Sequence, residues 1–355
     1  MKRLAIFLAM LFMAFNVMAQ EEPVDVRKVV FEHLKDSYEW HIINIGEKEV
    51  AISLPVILHS RTSGWHVFMS SKLRETGCYD GFRIVEEGAH AGKLFEVMPD
   101  GSLVKPFDLS LTKVALGIII NCVLLLVIIL LVGRWYSHHD YTDPAPRGFV
   151  GLIEFVVAMI VDDVIKPAIG KDYRRYTPLL LTLFFFILLS NLMGLIPIFP
   201  AGANVTGNIA VTLFLALVTF FTVNIFGNRE YWRDILWPDV PIFLKAPLPI
   251  LPVIEVFGIF TKPFALTVRL FANMTAGHSI ILALTCVIFI TAKMGPMIGA
   301  PMTVVSVLFM VFMNLLELLV AYVQAYVFTI LSAMFIGLSR PEEHEKKELD
   351  NQLTK

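Results

Sequence analysis

The sequence predicts an all-α polytopic membrane protein with about five membrane-crossing helices, the last two long and steeply tilted. A small, mixed, extracytoplasmic N-terminal extension precedes them. Three observations carry this reading. Of the 355 residues, 56% are hydrophobic, and the mean hydropathy is +0.70, which is outside the usual range of soluble globular domains. Several apolar runs reach the roughly 20 residues that a helix needs to cross a bilayer. Lys and Arg collect in alternate connecting segments, the pattern that marks cytoplasmic loops. The net charge of −2 gives no electrostatic reason to expect nucleic acid as a partner.

Residues 1–19 read as a signal peptide. Lys2 and Arg3 open it, a short apolar core follows, and Val17 and Ala19 supply the small residues before Gln20. The other reading is an uncleaved first helix; both put the following segment outside the cytoplasm. Residues 20–110 form the mixed extension. A short amphipathic helix is expected over 25–40, strands over 50–58 and 93–97, and a turn at Pro99-Asp100-Gly101. His41, His59, His66 and His90 are scattered and read as ordinary surface or core histidines. Cys78 is the one cysteine of this segment, so no disulfide framework is available there; Cys122 and Cys286 fall in apolar runs. No metal site or cofactor is expected. His344-Glu345-Lys346-Lys347-Glu348 lacks the second histidine of a zinc protease motif and sits in a charged tail.

Residues 114–133 make a clean span with one polar residue, Asn121. Arg134 and Arg147 follow it, so it runs inward. Residues 149–165 are apolar but carry Glu154, Asp162 and Asp163, which suits an interfacial or re-entrant helix better than a crossing. The run 178–197 crosses outward, and 208–226 crosses back to a segment holding Arg229, Arg233 and Lys245. Two long apolar runs remain, about 250–292 with Pro263 inside it, and 303–338. Arg340, Lys346 and Lys347 place the carboxyl end in the cytoplasm. Both last runs exceed the hydrocarbon thickness of about 30 Å, so they must tilt steeply or run partly in the membrane plane, and steep tilt has to be imposed by a packing partner.

The polar residues within those two runs are the candidate site. Arg269 is costly at bilayer depth, at least about 2.5–3.5 kcal/mol on insertion scales, and is a functional hypothesis by default. Ala265, Arg269, Ala272 and Ala276 share one helix face, and small residues let a partner helix approach closely. The alternative is an arginine that snorkels to a headgroup past Lys262. His278 points to the opposite side. On the last run Glu317 and Gln324 share a face, with Asn314 nearby. An embedded histidine and glutamate suit proton transfer between water and a dry interior. Glu255, Lys262 and Arg269 repeat every seven residues and would line a cytoplasmic exit if Pro263 does not turn the helix.

The run Arg269-Leu270-Phe271-Ala272-Asn273-Met274-Thr275-Ala276-Gly277-His278, with the stretch from Glu317 to Gln324, resembles subunit a of F-type ATP synthases. The resemblance covers about 110–340. It implies a membrane domain over 111–340 and a charged cytoplasmic tail over 341–355. It also implies a multi-pass protein of the bacterial inner membrane, and the loop charges set its amino end outside and its carboxyl end inside. Arg269 takes the place of the family's stator arginine, Asn273 of the amide beside it, and Gln324 of the glutamine near that arginine. Glu255 matches the glutamate fourteen residues before it, and Asn191-Leu192-Met193 also matches. Some relatives carry the glutamate after Ala-Gly and the histidine on the last helix; here His278 and Glu317 are the reversed pair. Gly194 and Phe199 stand where some relatives have carboxylates, which shifts the lining of the inlet onto Asn191, Asn208 and the His278–Glu317 couple.

The implied function is proton translocation without catalysis by this chain, through two half-channels against a rotating c-ring. The implied partners are the c-ring, the peripheral-stalk b subunit, the lipid bilayer and, indirectly, the catalytic sector. Two rivals are a secondary transporter binding an anionic substrate through Arg269, and an intramembrane hydrolase using His278 and Glu317. The first lacks the internal repeats common in that class, and the second lacks a nucleophile motif.

Overall fold

The computed structural model describes residues 35–45, 48–85, 92–98, 100–140, 144–196, 202–236, 250–292 and 295–340. The segment read as a signal peptide, residues 25–34 of the expected amphipathic helix, His90, Pro99, Phe199, Lys245 and the tail 341–355 lie outside the described residues. The chain divides into two compact units. The first holds residues 1–117, 195–204 and 273–320, and the second holds the remainder.

In the first unit, nine strands among the described residues form three small antiparallel sheets. β1 (Glu39–Ile45) pairs with β2 (Lys48–Ser53). The central sheet has the order β4-β3-β9, from β3 (Pro55–Ser60), β4 (Gly64–Met69) and β9 (Phe107–Asp108). The third has the order β5-β6-β7-β8, from Cys78–Tyr79, Phe82–Ile84, Leu94–Val97 and Leu103–Val104. A short helix α1 (Ser71–Thr76) follows β4. Alternation along β3 turns Val56 and Leu58 inward, where they pack with Tyr38, Phe68, Leu73, Phe82 and Leu94 as one core.

Two sequence expectations need correction here. The strand expected over 50–58 is two strands, because the chain leaves the β1–β2 sheet after Ser53 and enters another at Pro55. The far end of the expected amphipathic helix is strand, since Glu39 and Trp40 open β1. The turn at Asp100-Gly101 is present, with Gly101 at φ 80° and its N–H donating to the Met98 carbonyl at 2.9 Å.

This domain is tied to the first apolar helix, α2 (Lys113–Ser137). Asp36 Oδ1 accepts from the Val114 N–H at 3.0 Å, and the Lys113 N–H donates to the Ser37 carbonyl at 2.8 Å. These bonds satisfy amides that a helix start otherwise leaves without partners. Nearby, the buried Tyr38 hydroxyl donates to Asp108 Oδ2 at 2.5 Å. Burial, then that carboxylate, pushes the tyrosine's pKa well above the usual phenol range.

The second unit is helical. Buried Asn121 on α2 donates to the Phe186 carbonyl (3.1 Å) and to Ser190 Oγ (2.5 Å) on α5 (Tyr173–Leu195). The segment expected to be interfacial is joined to the next crossing. α3 (Phe149–Met159) passes through a π-helical turn, Ile160–Ile165, into α4 (Lys166–Ile169), a single 3₁₀ turn and then α5. Pro167 explains the wide turn: it has no N–H for the carbonyl four residues back, and its ring pushes that carbonyl aside. α6 (Ile209–Ile225) is capped by Asn208, and α7 (Arg229–Leu236) follows it. The last two helices are α8 (Ile250–Ala292) and α9 (Pro296–Leu338). The end of α9 packs tightly on α4, since a Cβ at Gly337 would collide with the Ala168 carbonyl. Arg340 beyond it pairs with Asp172 and donates to the Phe226 carbonyl at 3.2 Å.

Among the described residues, four helical runs are long and apolar enough to cross a membrane, and α6 is a shorter apolar helix. The mixed strands are confined to the region before α2. The fold class expected from the sequence is therefore the one observed.

Candidate functional site

α8 and α9 each contain 43 residues, about 65 Å at 1.5 Å per residue, against about 30 Å of hydrocarbon. α9 begins at Pro296, seven residues before the expected start. α8 runs unbroken through Pro263. The Thr267 hydroxyl donates to the Pro263 carbonyl at 2.8 Å. Glu255, Lys262 and Arg269 therefore lie along one side of a continuous helix.

Within the second unit, α8 buries Ile259, Leu266 and Leu270. Ala265, Arg269 and Ala272 are exposed, as is Ala276 farther along the same helix. Among the described residues the Arg269 guanidinium has no hydrogen bond or ion pair. The small-residue face is thus open on this chain, with a cation in its middle. Glu255 and Asn273 are also exposed, whereas Gln324 on α9 is buried.

Lys262 stands 5.4 Å above the Phe335 ring. Beside it is a cavity of about 20 Å³ whose lining includes Thr219, Asn224, Tyr231, Lys262 and Pro263. That is room for about one water. The Tyr231 hydroxyl is 3.4 Å from Asn224 Oδ1. Its pKa is raised by burial and then by the negative charge of Glu255. The sequence reading did not include Tyr231 or Asn224, because nothing in their local pattern sets them beside Lys262.

Within the first unit the structure joins the expected couple. His278 Nδ1 pairs with Glu317 Oε1, the side chains being 13% and 3% exposed. Gly277 permits the approach, since a Cβ there would stand 2.9 Å from Glu317 Oε1. The outer atoms, His278 Nε2 and Glu317 Oε2, are buried with no hydrogen-bond partner among the described residues. Buried polar atoms are normally satisfied by protein or by ordered water. Asn314 is not part of it; its amide donates to its own helix, at the Met310 carbonyl.

Asn191 is fully buried and engaged at both ends. It donates to the Ala321 carbonyl at 3.0 Å and accepts from the Thr206 hydroxyl at 2.7 Å. Asn208 accepts from the Ala210 N–H at 2.9 Å as the cap of α6. Both amides thus have structural work, and Thr206 is a partner that the sequence did not reveal. Asn191→Ala would strand a carbonyl and a hydroxyl, each worth about 1–3 kcal/mol when buried and unsatisfied. Its expected result is a lower thermal unfolding midpoint of the purified protein, and an unchanged midpoint would show that the bridge contributes nothing.

On the strand domain, Ser63, His66 and Asp80 are hydrogen-bonded in series. The Thr62 and Ser63 amides are both taken by Ser60 Oγ, at 3.0 and 3.2 Å, so this turn offers no pair of free donors for an oxyanion. The series braces the β3–β4 turn.

Comparison with known proteins agrees with the helical geometry. The family described as ATP synthase A chain matches residues 116–337, and a domain of unknown function (DUF8433) matches residues 29–109. ATP synthase subunit a of Chlorobium phaeobacteroides is 42% identical over 267 residues, covering 72% of this chain and 74% of that one. The subunit a of Chloroherpeton thalassium is 41% identical over 270 residues, covering 72% and 76%. That of Myxococcus xanthus is 38% identical over 300 residues, covering 82% and 88%. With its apolar helices and its match across the membrane region, the chain belongs to the ATP synthase subunit a family, a multi-pass, non-catalytic subunit of the synthase's membrane sector.

Proposed function

We propose that this chain is the proton-translocating stator of that sector, with Arg269 as the fixed charge facing a rotating c-ring. The observation that supports it most is the exposed face Ala265, Arg269, Ala272, on which the guanidinium has no ion pair among the described residues. A cation held this way calls for a mobile anion from a partner, and the alanines give a partner helix room to pass. An arginine suits the role because it keeps its charge at any working pH.

In this reading the amino end is extracytoplasmic and the carboxyl end cytoplasmic. Protons enter through a half-channel that uses Asn191, Asn208, Asn273, the His278–Glu317 couple and Gln324. They neutralise a ring carboxylate, which can then face lipid because it is uncharged. They leave near Glu255, where the cavity beside Lys262 offers room for water. Arg269 separates the two routes by repelling protons and holding the bare carboxylate between them. The drive is about 2.3 kcal/mol per elementary charge per 100 mV. The oblique course of α8 and α9 would be imposed by the ring, and the b subunit would anchor the chain to the peripheral stalk.

A cross-link tests the geometry. With Cys78, Cys122 and Cys286 replaced by Ser, Ala272→Cys is expected to form a disulfide with a cysteine placed one turn from the carboxylate on the ring's helix. Failure to cross-link under oxidation, with the same cysteine reacting freely with a lipid-soluble maleimide, would mean that the face looks at lipid and not at a rotor.

A further inference from the structure

The strand domain before α2 carries a feature that proton transport does not use. Residues directly opposite one another in an antiparallel pair point to the same side of the sheet. In the β4-β3-β9 sheet, Val56 and Leu58 face the core. The other side carries Trp65, Val67 and Met69 from β4, registered against His59, Ile57 and Pro55 of β3. Phe107 pairs with His59, and the pairing continues past β9, with the Leu109 N–H donating to the Ile57 carbonyl (3.0 Å) and the Leu111 N–H to the Pro55 carbonyl (3.1 Å). Trp65, Val67, Met69, Phe107 and Leu109 are 60%, 70%, 45%, 63% and 60% exposed. Among the described residues these positions carry no Asp, Glu, Lys or Arg, and His59 is the one titratable side chain between them. Single exposed apolar residues need no explanation, but a contiguous apolar face does.

We propose that this face rests on the bilayer surface at the start of α2. The occupant follows from continuity. Leu111, in the last row of the sheet, is two residues before Lys113, the first residue of a membrane-crossing helix. The domain and the first turn of that helix are joined by the Asp36–Val114 and Ser37–Lys113 bonds. The apolar face therefore begins where the chain meets hydrocarbon. An upright sheet would need apolar residues only in the row nearest the membrane. Here the row of Phe107, about 13 Å farther along at some 3.3 Å per residue, sets Phe107 and the tryptophan, Trp65, on either side of His59. Trp is the side chain enriched at membrane–water boundaries. A face that carries large apolar side chains in every row fits a sheet lying flat on lipid.

The test uses the full chain assembled in its membrane sector in liposomes, with Cys78, Cys122 and Cys286 replaced. A spin label is attached at Val67→Cys or, separately, Leu109→Cys, with Arg83→Cys as an exposed reference on the third sheet. Collision rates are measured with oxygen, which concentrates in lipid, and with a water-soluble nickel chelate. The expected result is an oxygen-to-nickel ratio several-fold higher at both 67 and 109 than at 83. A ratio equal to the reference would overturn the proposal, leaving the face in water. Protection from both reagents would also overturn it, with a protein surface as the occupant.

Discussion

Arg269→Ala is expected to reduce ATP-driven proton pumping in inverted vesicles to background. The arginine sits on an exposed helix face, between Ala265 and Ala272, without an ion pair of its own among the described residues. Truncating it removes no packing contact of the buried side, which is formed by Ile259, Leu266 and Leu270. The subunit should therefore fold and assemble, and the lesion should be electrostatic. Two unit charges 4 Å apart interact by about 4 kcal/mol at an effective dielectric constant of 20, or roughly three orders of magnitude in an equilibrium. Arg269→Lys keeps the charge but replaces a planar fork by a compact, strongly hydrated ammonium, so it should recover little of the activity. Wild-type pumping by the alanine variant would reject the stator role outright.

The second large effect concerns the couple. His278→Glu is expected to cripple pumping, because it sets a carboxyl against Glu317 where an imidazole now stands. Two carboxylates in one buried site cannot both ionise cheaply, and one holds its proton. Adding Glu317→His rebuilds an acid–imidazole couple with its ends exchanged and should recover part of the rate. The recovery follows from geometry. Gly277 has no side chain to hold the two helices apart, and the couple's free atoms, Nε2 and Oε2, lie at its two ends. Water reaching each end would complete a relay that works in either orientation. A double variant no better than the single one would show that the two residues do not act as a unit.

The helical part was largely legible because hydrophobic content and loop charge are local signals. The helix expected over 208–226 is Ile209–Ile225 with Asn208 as its cap, and the long run over 250–292 is one helix. Errors fell where a local signal pointed the wrong way. The last helix begins at Pro296 and not at the expected residue 303, since Pro at the first helical position gives up an N–H that would have no helical partner anyway. The charges of 149–165 suggested an interfacial or re-entrant helix, and the structure adds that this helix runs on through a π turn toward the next crossing. In the candidate site, sequence supplied the polar residues and the family resemblance suggested the His278–Glu317 couple. It could not supply Gly277's role, which depends on a carboxylate 40 residues away, or the Asn191–Thr206 bond, which joins residues 15 positions apart. Nor could it place Tyr231 beside the Lys262 cavity. Such contacts are written in packing between distant segments and leave no periodicity in the chain.

The bond from Val114 to Asp36 has a consequence for biogenesis. The strand domain takes one of its three central strands from residues 107–108, and the cap that seats α2 comes from residue 36. Neither can form until the ribosome has released about eighty residues beyond Asp36, by which time the apolar helix is itself emerging. Closure of the domain and delivery of that helix to the insertion machinery therefore fall in the same interval of synthesis. A delay in either leaves the other waiting with its amides and strand edges uncovered.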